Sequence, residues 1–353
     1  MTADGAVAVR ERLERSFERW QEPGAAELCE VLSETLRVVP AFDQSLRLES
    51  LKREVYRLRV GGDSGRTLVL KRLTPAIAHT DRLVAERWLP AVGLGDRCPS
   101  LLGAAASRDG CWIWHIYEDL GDGSLATQRL PRRLAAAVDC VAALHTQAAS
   151  HPLLPEVRWR ARDLGAPFFT SNLRDAITTL EARAPLPRGA PREFASARAR
   201  LLQRLHELLD DAPRRIRLLT EAGGPDTLLH GDLWPKNVFV SLSGDGADAR
   251  LIDWDHVGAG PFSYDLSTFL YRSSADERPD ILRRYSAAVE RAGWRLPGHE
   301  ELNLLFHTAE SARYAHCILF DAMALLHDGA EWAIGELMDY ERWLGALRPP
   351  LTE

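Results

Sequence analysis

Asp232, Asn237 and Asp253 are the residues whose types and spacing first point to chemistry. The first two belong to HGDLWPKN at 230–237 and the third to LIDWD at 251–255. Gathering such polar groups carries a desolvation cost, so their convergence needs a purpose, and a metal–phosphate site is one. An amide oxygen and a carboxylate are hard ligands suited to Mg2+, which keeps several waters and shares its other positions with phosphates. Asp232 is then left to orient an incoming hydroxyl. Asx residues also cap turns, and either half alone arises by chance; both halves at hairpin spacing favour the chemical reading.

The element that must position them is a β-hairpin. Apolar runs at 227–229, 238–240 and 251–252 flank the turn-forming cluster SGDGAD at 243–248. With its tip at Asp245, antiparallel pairing sets Asn237 beside Asp253 at the open end, and Asp232 lies on the loop that enters it.

A chain of 353 residues, at roughly 100 to 200 residues per domain, predicts two lobes. Its 46% hydrophobic and 27% charged residues are ordinary for a soluble globular protein. The formal net charge of -6 argues against broad nucleic-acid binding and mildly favours a neutral or cationic partner. Five scattered cysteines without a CxxC pair point to a reducing cytosol and no structural zinc. No apolar run is long enough to span a membrane, and charged residues stand where a signal peptide needs an apolar core, so a cytoplasmic location is expected.

Of the 44 basic residues only three are lysines, Lys52, Lys71 and Lys236. A lysine kept against such an arginine bias marks a place for a compact ammonium. Residues 6–38, with Leu13, Phe17 and Trp20 at helical spacing, predict helices packed on the first lobe. Strands are expected at 45–51, 55–60 and 67–73, as an antiparallel meander, and again at 112–117. In the third strand Lys71 shares a face with Val69 and Leu73, so it needs a counter-ion, and Glu86 on a helix at about 80–92 is the proposed partner. The alternative is that Lys71 snorkels to solvent from an edge strand. The composition breaks at 118–123, a linker, and a helix from Leu134 ends at His145, which reads as a packed or capping histidine.

The order Lys71, Glu86, EDLGDGSL at 118–125, HGDLWPKN at 230–237 and IDWD at 252–255 resembles the aminoglycoside phosphotransferase family. That family includes choline and homoserine kinases and shares the protein kinase fold. The resemblance implies an α+β, bilobal protein kinase-like fold. Residues 1–117 would form N-terminal helices and a small antiparallel-sheet lobe, 118–125 a hinge, and 126–353 a larger helical lobe. It further implies that Lys71, held by Glu86, contacts the α- and β-phosphates, and that the backbone of Glu118, Asp119 and Leu120 receives the nucleotide base. Asp232 would be the catalytic base, Asn237 and Asp253 the Mg2+ ligands, and His230, Asp255 and Asp265 supports.

Two departures stand out. The phosphate-covering turn, Glu49 to Glu54, has no glycine, so Ser50 or Lys52 would contact phosphates there. Lys236 replaces a smaller residue and either stabilises the γ-phosphate or faces water. The segments 151–211 and beyond 280 would wall an acceptor site, with Trp159, Phe168, Phe169, Tyr264, Tyr314, Trp332, Glu310 and Asp321 as lining candidates, although most at helical spacing belong to a core. The expected activity is transfer of the γ-phosphoryl of ATP, or GTP, with Mg2+, to a hydroxyl of a small molecule such as an aminoglycoside or another hydroxylated antibiotic. The alternatives are a choline, homoserine or sugar-type metabolite kinase and a nucleotide-binding regulatory protein without turnover.

Overall fold

The computed structural model describes residues 13–15, 22–36, 46–61, 65–182, 191–244 and 246–351. Phe17, Trp20, residues 183–190 and Asp245 lie outside them. The chain divides into two units, Met1–Arg129 with Val238–Asp255, and Leu130–Asn237 with His256–Glu353.

The first unit is built on an antiparallel sheet of β1 (Leu46–Lys52), β2 (Val55–Val60), β3 (Arg66–Leu73), β4 (Leu101–Ala106) and β5 (Ile113–Glu118), in the order β1-β2-β3-β5-β4. Alternation in these strands divides their side chains between two faces. Tyr56, Leu58, Val60, Leu68, Leu70, Trp114 and Ile116 share one core with Leu28, Leu32 and Leu36. These three leucines, at i, i+4 and i+8, are the buried stripe of α1 (Ala25–Leu36). The pairing of β3 with β5 sets Lys71 opposite His115.

The fifth strand, β4, has the sequence LLGAAA and no period that marks it as a strand. Its small residues let α1 approach: a Cβ on Gly103 would lie 3.2 Å from Val31 Cγ1. After β3, Pro75 opens α2 (Pro75–Leu83) at its first turn, where a missing N–H costs nothing. The helix runs on through a wider turn, Val84–Trp88. The hairpin of β7 (Val238–Ser243) and β8 (Gly246–Leu251) completes this unit, with Leu125 N–H donating to Val238 O at 2.7 Å.

That hairpin forms with a different register from the one the spacing predicts. Val238 pairs with Leu251 and Ser243 with Gly246, so the turn is two residues long and the ladder is offset by one from an Asn237–Asp253 match. A two-residue turn suits the strand twist better than a single-residue tip, which is why the centre of symmetry falls between residues.

The second unit is helical: α3 (Pro131–Ala148), α4 (Leu154–Arg160), α5 (Ala166–Glu181), α6 (Arg192–Asp210), α7 (Ala212–Ala222), α8 (Ser263–Tyr271), α9 (Arg278–Arg291), α10 (His299–Asp328) and α11 (Trp332–Ala346). The 30-residue α10 is its spine and packs on α5, α8 and α11. Phe169, Leu173, Ile177, Leu205, Ala312, Ala315 and Ile318 meet in the core around it. A short ladder of β6 (Thr227–Leu229) and β9 (Gly258–Gly260) delivers the chain to His230.

Candidate active site

In the second unit, the loop that follows β6 is held through its backbone amides. The buried Asp265, in the first turn of α8, accepts the N–H of His230 at 2.7 Å and of Gly231 at 2.8 Å. Burial alone would raise this carboxyl, but His145, His230 and the Gly231 N–H outweigh it and hold it below the usual carboxylate range. His145 faces Asp265 through Nε2 at 3.4 Å, and its Nδ1 lies 2.8 Å from the Tyr285 hydroxyl. Its role is packing and support.

Gly231 occupies a position that no other residue fits. Its φ is +82°, and a Cβ there would lie 1.8 Å from His256 O. The turn therefore places Asp232 with its N–H donating to His230 Nδ1 at 3.2 Å. Asn237, at the end of the 3-10 turn Pro235–Asn237, donates through Nδ2 to Asp232 O at 2.9 Å and to Asp232 Oδ2 at 3.3 Å. Its Oδ1 remains the amide's hard oxygen.

A guanidinium reaches the same carboxylate from α10. Arg313 Nη1 donates to Gly231 O at 2.8 Å and lies 3.5 Å from Asp232 Oδ1, while Nη2 donates to Thr268 Oγ1 at 2.6 Å. The group lies over the Tyr264 ring. Behind it the buried Glu310 pairs with Arg272 at 2.5 Å, and Arg272 in turn stacks on Trp234. Lys236 Nζ also lies over that indole, 5.0 Å from the ring centre.

In the first unit, two of the three lysines converge on Asp253. Lys71 lies 2.6 Å from Asp253 Oδ1 and 2.7 Å from Asp255 Oδ1, and Lys52 lies 2.8 Å from Asp253 Oδ2. Burial would raise Asp253, but Lys71 and then Lys52 hold it well below the carboxylate range. Burial likewise would lower Lys71, and Asp253, Asp255 and Asp81 hold it above its ordinary value instead. Asp255 moves the other way, raised by burial with Asp253 adding to it, against the pull of Lys71. Asp253 itself has φ +68°, a left-handed conformation uncommon outside glycine and tolerated best by Asn and Asp.

Glu86 is not the partner of Lys71. It pairs with Arg82 at 2.7 Å, one helical turn back, and is about half exposed. The buried side of this helix carries Asp81, Val84 and Trp88, at i, i+3 and i+7, and Glu86 falls between them on the outer side. The carboxylate that α2 sends to the sheet is Asp81, which accepts from the Tyr117 hydroxyl and lies 3.1 Å from His115 Nδ1.

Around the linker the side chains are occupied structurally. Asp119 forms a buried pair with Arg57 at 2.8 Å and accepts the Gly121 N–H at 2.9 Å. Glu118 accepts from Ser100 N–H at 2.8 Å and from Arg250 at 2.7 Å. The glycine-free turn is equally anchored: Glu54, at φ +64°, pairs with Arg72 at 3.0 Å, and Ser50 Oγ turns to Lys52 O.

The sequence matches the model of the phosphotransferase enzyme family over residues 50–304. The chain belongs to that family. No curated protein matches it. Among solved structures, this phosphotransferase is similar to a spectinomycin phosphotransferase in complex with ADP and spectinomycin, at 14% identity and TM-score 0.57, covering 91% of this chain and 95% of that one. It is also similar to an ethanolamine kinase of Plasmodium vivax, at 12% identity and TM-score 0.57, covering 96% and 94%. A third is the choline kinase LicA of Streptococcus pneumoniae, at 14% and 0.53, covering 91% and 99%. The fold is that of small-molecule kinases, and the chain is a small-molecule phosphotransferase.

The phosphotransferase brings to the loop that carries Asp232 neighbours that the motifs did not announce. Arg313 and Arg272 lie in helices where arginine is common, and only the folded arrangement distinguishes them; Glu310, expected as a lining residue, is fully buried and paired with Arg272. Asp81 had a weak signal: an acid at i, i+3 spacing with Val84 on an otherwise apolar stripe. Among the described residues no helix is long and apolar enough to cross a membrane. Among them, too, no cluster of three or more His, Cys, Asp or Glu is disposed to hold a metal by itself.

Proposed function

We propose that this phosphotransferase moves the γ-phosphoryl group of ATP or GTP to a hydroxyl of a small molecule, with Asp232 as the base. The observation that carries this is the setting of Asp232: a partly exposed carboxylate fixed between the Asn237 amide and the Arg313 guanidinium, on a loop pinned by Asp265. The acceptor oxygen attacks phosphorus, its proton passes to Asp232, and the bond from the γ-phosphorus to the bridging oxygen breaks to release the nucleoside diphosphate. Charge spreads over the transferred oxygens, so fixed cations and positioning supply most of the acceleration.

Asn237 of the helical unit and Asp253 of the sheet unit are the residues that would hold Mg2+. Asn237 brings an amide oxygen and Asp253 a carboxylate that two lysines hold ionised, both hard ligands. When bound, the cation neutralises phosphate charge. In this proposal Lys71 engages the α- and β-phosphates, Lys52 lies beside them in place of a glycine-rich cover, and the backbone of Glu118, Asp119 and Leu120 receives the base. His230, Asp255 and Asp265 are supports, and Lys236 is held at Trp234. The sheet unit would carry the nucleotide and the helical unit the acceptor.

The deciding experiment is transfer from γ-labelled ATP with Mg2+ across hydroxylated antibiotics, choline, ethanolamine and homoserine, with Asp232→Ala as the control. The expected outcome is a labelled product that the variant forms at least about 100-fold more slowly while still binding Mg-ATP. Equal nucleotide affinity with and without Mg2+ in the wild type would sink the metal assignment.

A further inference from the structure

We infer that Lys52 is a tethered counter-ion of Asp253, seated on the carboxylate oxygen open to a divalent cation, and that it leaves this oxygen for the phosphates when a metal-nucleotide enters. The inference rests on Asp253 being the metal ligand of the proposed transfer, and it names how that same site is kept closed to the cation alone. Both oxygens of Asp253 are matched by an ammonium, Oδ1 by Lys71 at 2.6 Å and Oδ2 by Lys52 at 2.8 Å. A cation without nucleotide therefore meets a carboxylate that is already neutralised.

The sequence builds this arrangement with one extra residue. In β1 Ser50 pairs with Tyr56 and Lys52 with Val55, so Leu51 is the surplus residue of a bulge. Val55 pairs in turn with Lys71. Directly opposed residues share a face, so Lys52, Val55 and Lys71 form one row across three strands, and both lysines reach Asp253 from it. In a regular ladder Leu51 would stand opposite Val55, and Lys52 would pass into the turn. The bulge leaves Leu51 exposed and brings an ammonium to Asp253.

The two lysines differ in how firmly they are held. Lys71 is 13% exposed and is shared by Asp253 and Asp255, whereas Lys52 is 58% exposed and, among the described residues, ion-paired with Asp253 alone. Lys52 is the one that can leave. Its backbone need not follow, because the turn is fastened to β3 twice: the Arg72 N–H donates to Glu54 O at 2.9 Å, and the Glu54 carboxylate pairs with the Arg72 guanidinium at 3.0 Å. The exchange is a swing of one flexible four-carbon stem. An ion pair with one partner so exposed shifts an equilibrium only a few fold, so phosphate charge is enough to draw Lys52 away.

The test uses the full chain with Mn2+ as the cation, its binding followed by electron paramagnetic resonance without nucleotide, and calorimetric binding of Mg-ADP alongside. Lys52→Met should bind Mn2+ at least about threefold more tightly than the wild type and Mg-ADP at least about threefold more weakly, a reversal of sign that a loosened turn does not produce. Absent, unchanged or weaker Mn2+ binding by Lys52→Met overturns the inference, and so does an unchanged affinity for Mg-ADP. In either case, wild-type Mn2+ binding that Asp253→Asn abolishes leaves the metal assignment standing. Mn2+ binding to Lys52→Met that survives the added Asp253→Asn change overturns both.

Discussion

Lys71 is held by Asp253 at 2.6 Å and Asp255 at 2.7 Å, and not by the glutamate that the motif order singles out. Lys52 takes the second oxygen of Asp253, so the carboxylate is flanked by two ammonium groups. The pair belongs to the proposed phosphate chemistry, while Glu86 makes an exposed i,i+4 pair with Arg82, of a kind worth only about 0.3 to 0.5 kcal/mol. Lys71→Met is therefore expected to lower kcat/KM for the nucleotide by about 100-fold or more, and Glu86→Gln to leave it within about threefold, since a rate factor of ten requires about 1.4 kcal/mol. Steady-state kinetics of both variants decide between Glu86 as an outer residue and Glu86 as the lysine's anchor.

Two glycines with nearly the same backbone conformation separate strain from crowding. Gly121 has φ +75° and nothing within 4 Å of where a Cβ would stand, whereas Gly231 has φ +82° and would set a Cβ 1.8 Å from His256 O. Gly121→Ala should cost only the left-handed backbone term, about 1 to 2 kcal/mol. Gly231→Ala adds a backbone collision and must displace the loop that Asp265 holds, so it should cost more than about 3 kcal/mol and remove transfer activity. Urea unfolding of both variants measures the difference; equal losses would mean that the contact with His256 is easily relaxed.

Asp119 and Asp122 both reach Arg57, but from different environments. The side chains of Arg57 and Asp119 are 8% and 7% exposed, while that of Asp122 is 78% exposed. Removing one member of a buried pair leaves an uncompensated charge, which costs about 3 to 5 kcal/mol, and an exposed pair is worth about 1 kcal/mol or less. Asp119→Ala is expected to lower the urea midpoint strongly and Asp122→Ala hardly at all. Similar effects would show that Arg57 is solvated despite its burial.

Period and motif order made much of this legible. The alternation of VYRLRV and RTLVLKRL implied an antiparallel sheet, and the structure has one. Lys71, Lys52, Asp253 and Asp255 gather in one unit, and His230, Asp232, Asn237 and Asp265 in the other. What sequence could not supply was direction within a helix: Asp81 and Glu86 are five residues apart, and burial of Trp88 and Val84 decides which one faces inward. The strand LLGAAA was hidden because its residues are chosen for a close helix rather than for alternation. Arg313 was hidden because its contact with the loop spans 82 residues of sequence, and nothing local to SARYAHC marks it.

Two half-buried histidines make stability depend on pH above the range where most carboxylates titrate. His307 Nδ1 accepts from Arg215 Nη1 at 3.1 Å, and His316 Nε2 accepts from Arg162 at 3.2 Å, so each is folded as the neutral ring. Burial first, and the neighbouring arginines next, push both pKa values down to about 4 from the ordinary 6.5. Because the folded value is depressed, the unfolded chain binds more protons between those limits, and stability rises with pH there. The contribution is complete above about pH 6.5 and is lost as the pH falls toward 4, at most about 3 kcal/mol per ring at 1.36 kcal/mol per unit. Asp253 and Asp265, held below the carboxylate range, lose their share mainly below that window. The urea midpoint should therefore drop between about pH 6.5 and 4.5. His307→Gln, which keeps an acceptor for Arg215, should remove roughly half of that drop, and a slope unchanged in the variant would mean that His307 is protonated in the folded protein without penalty.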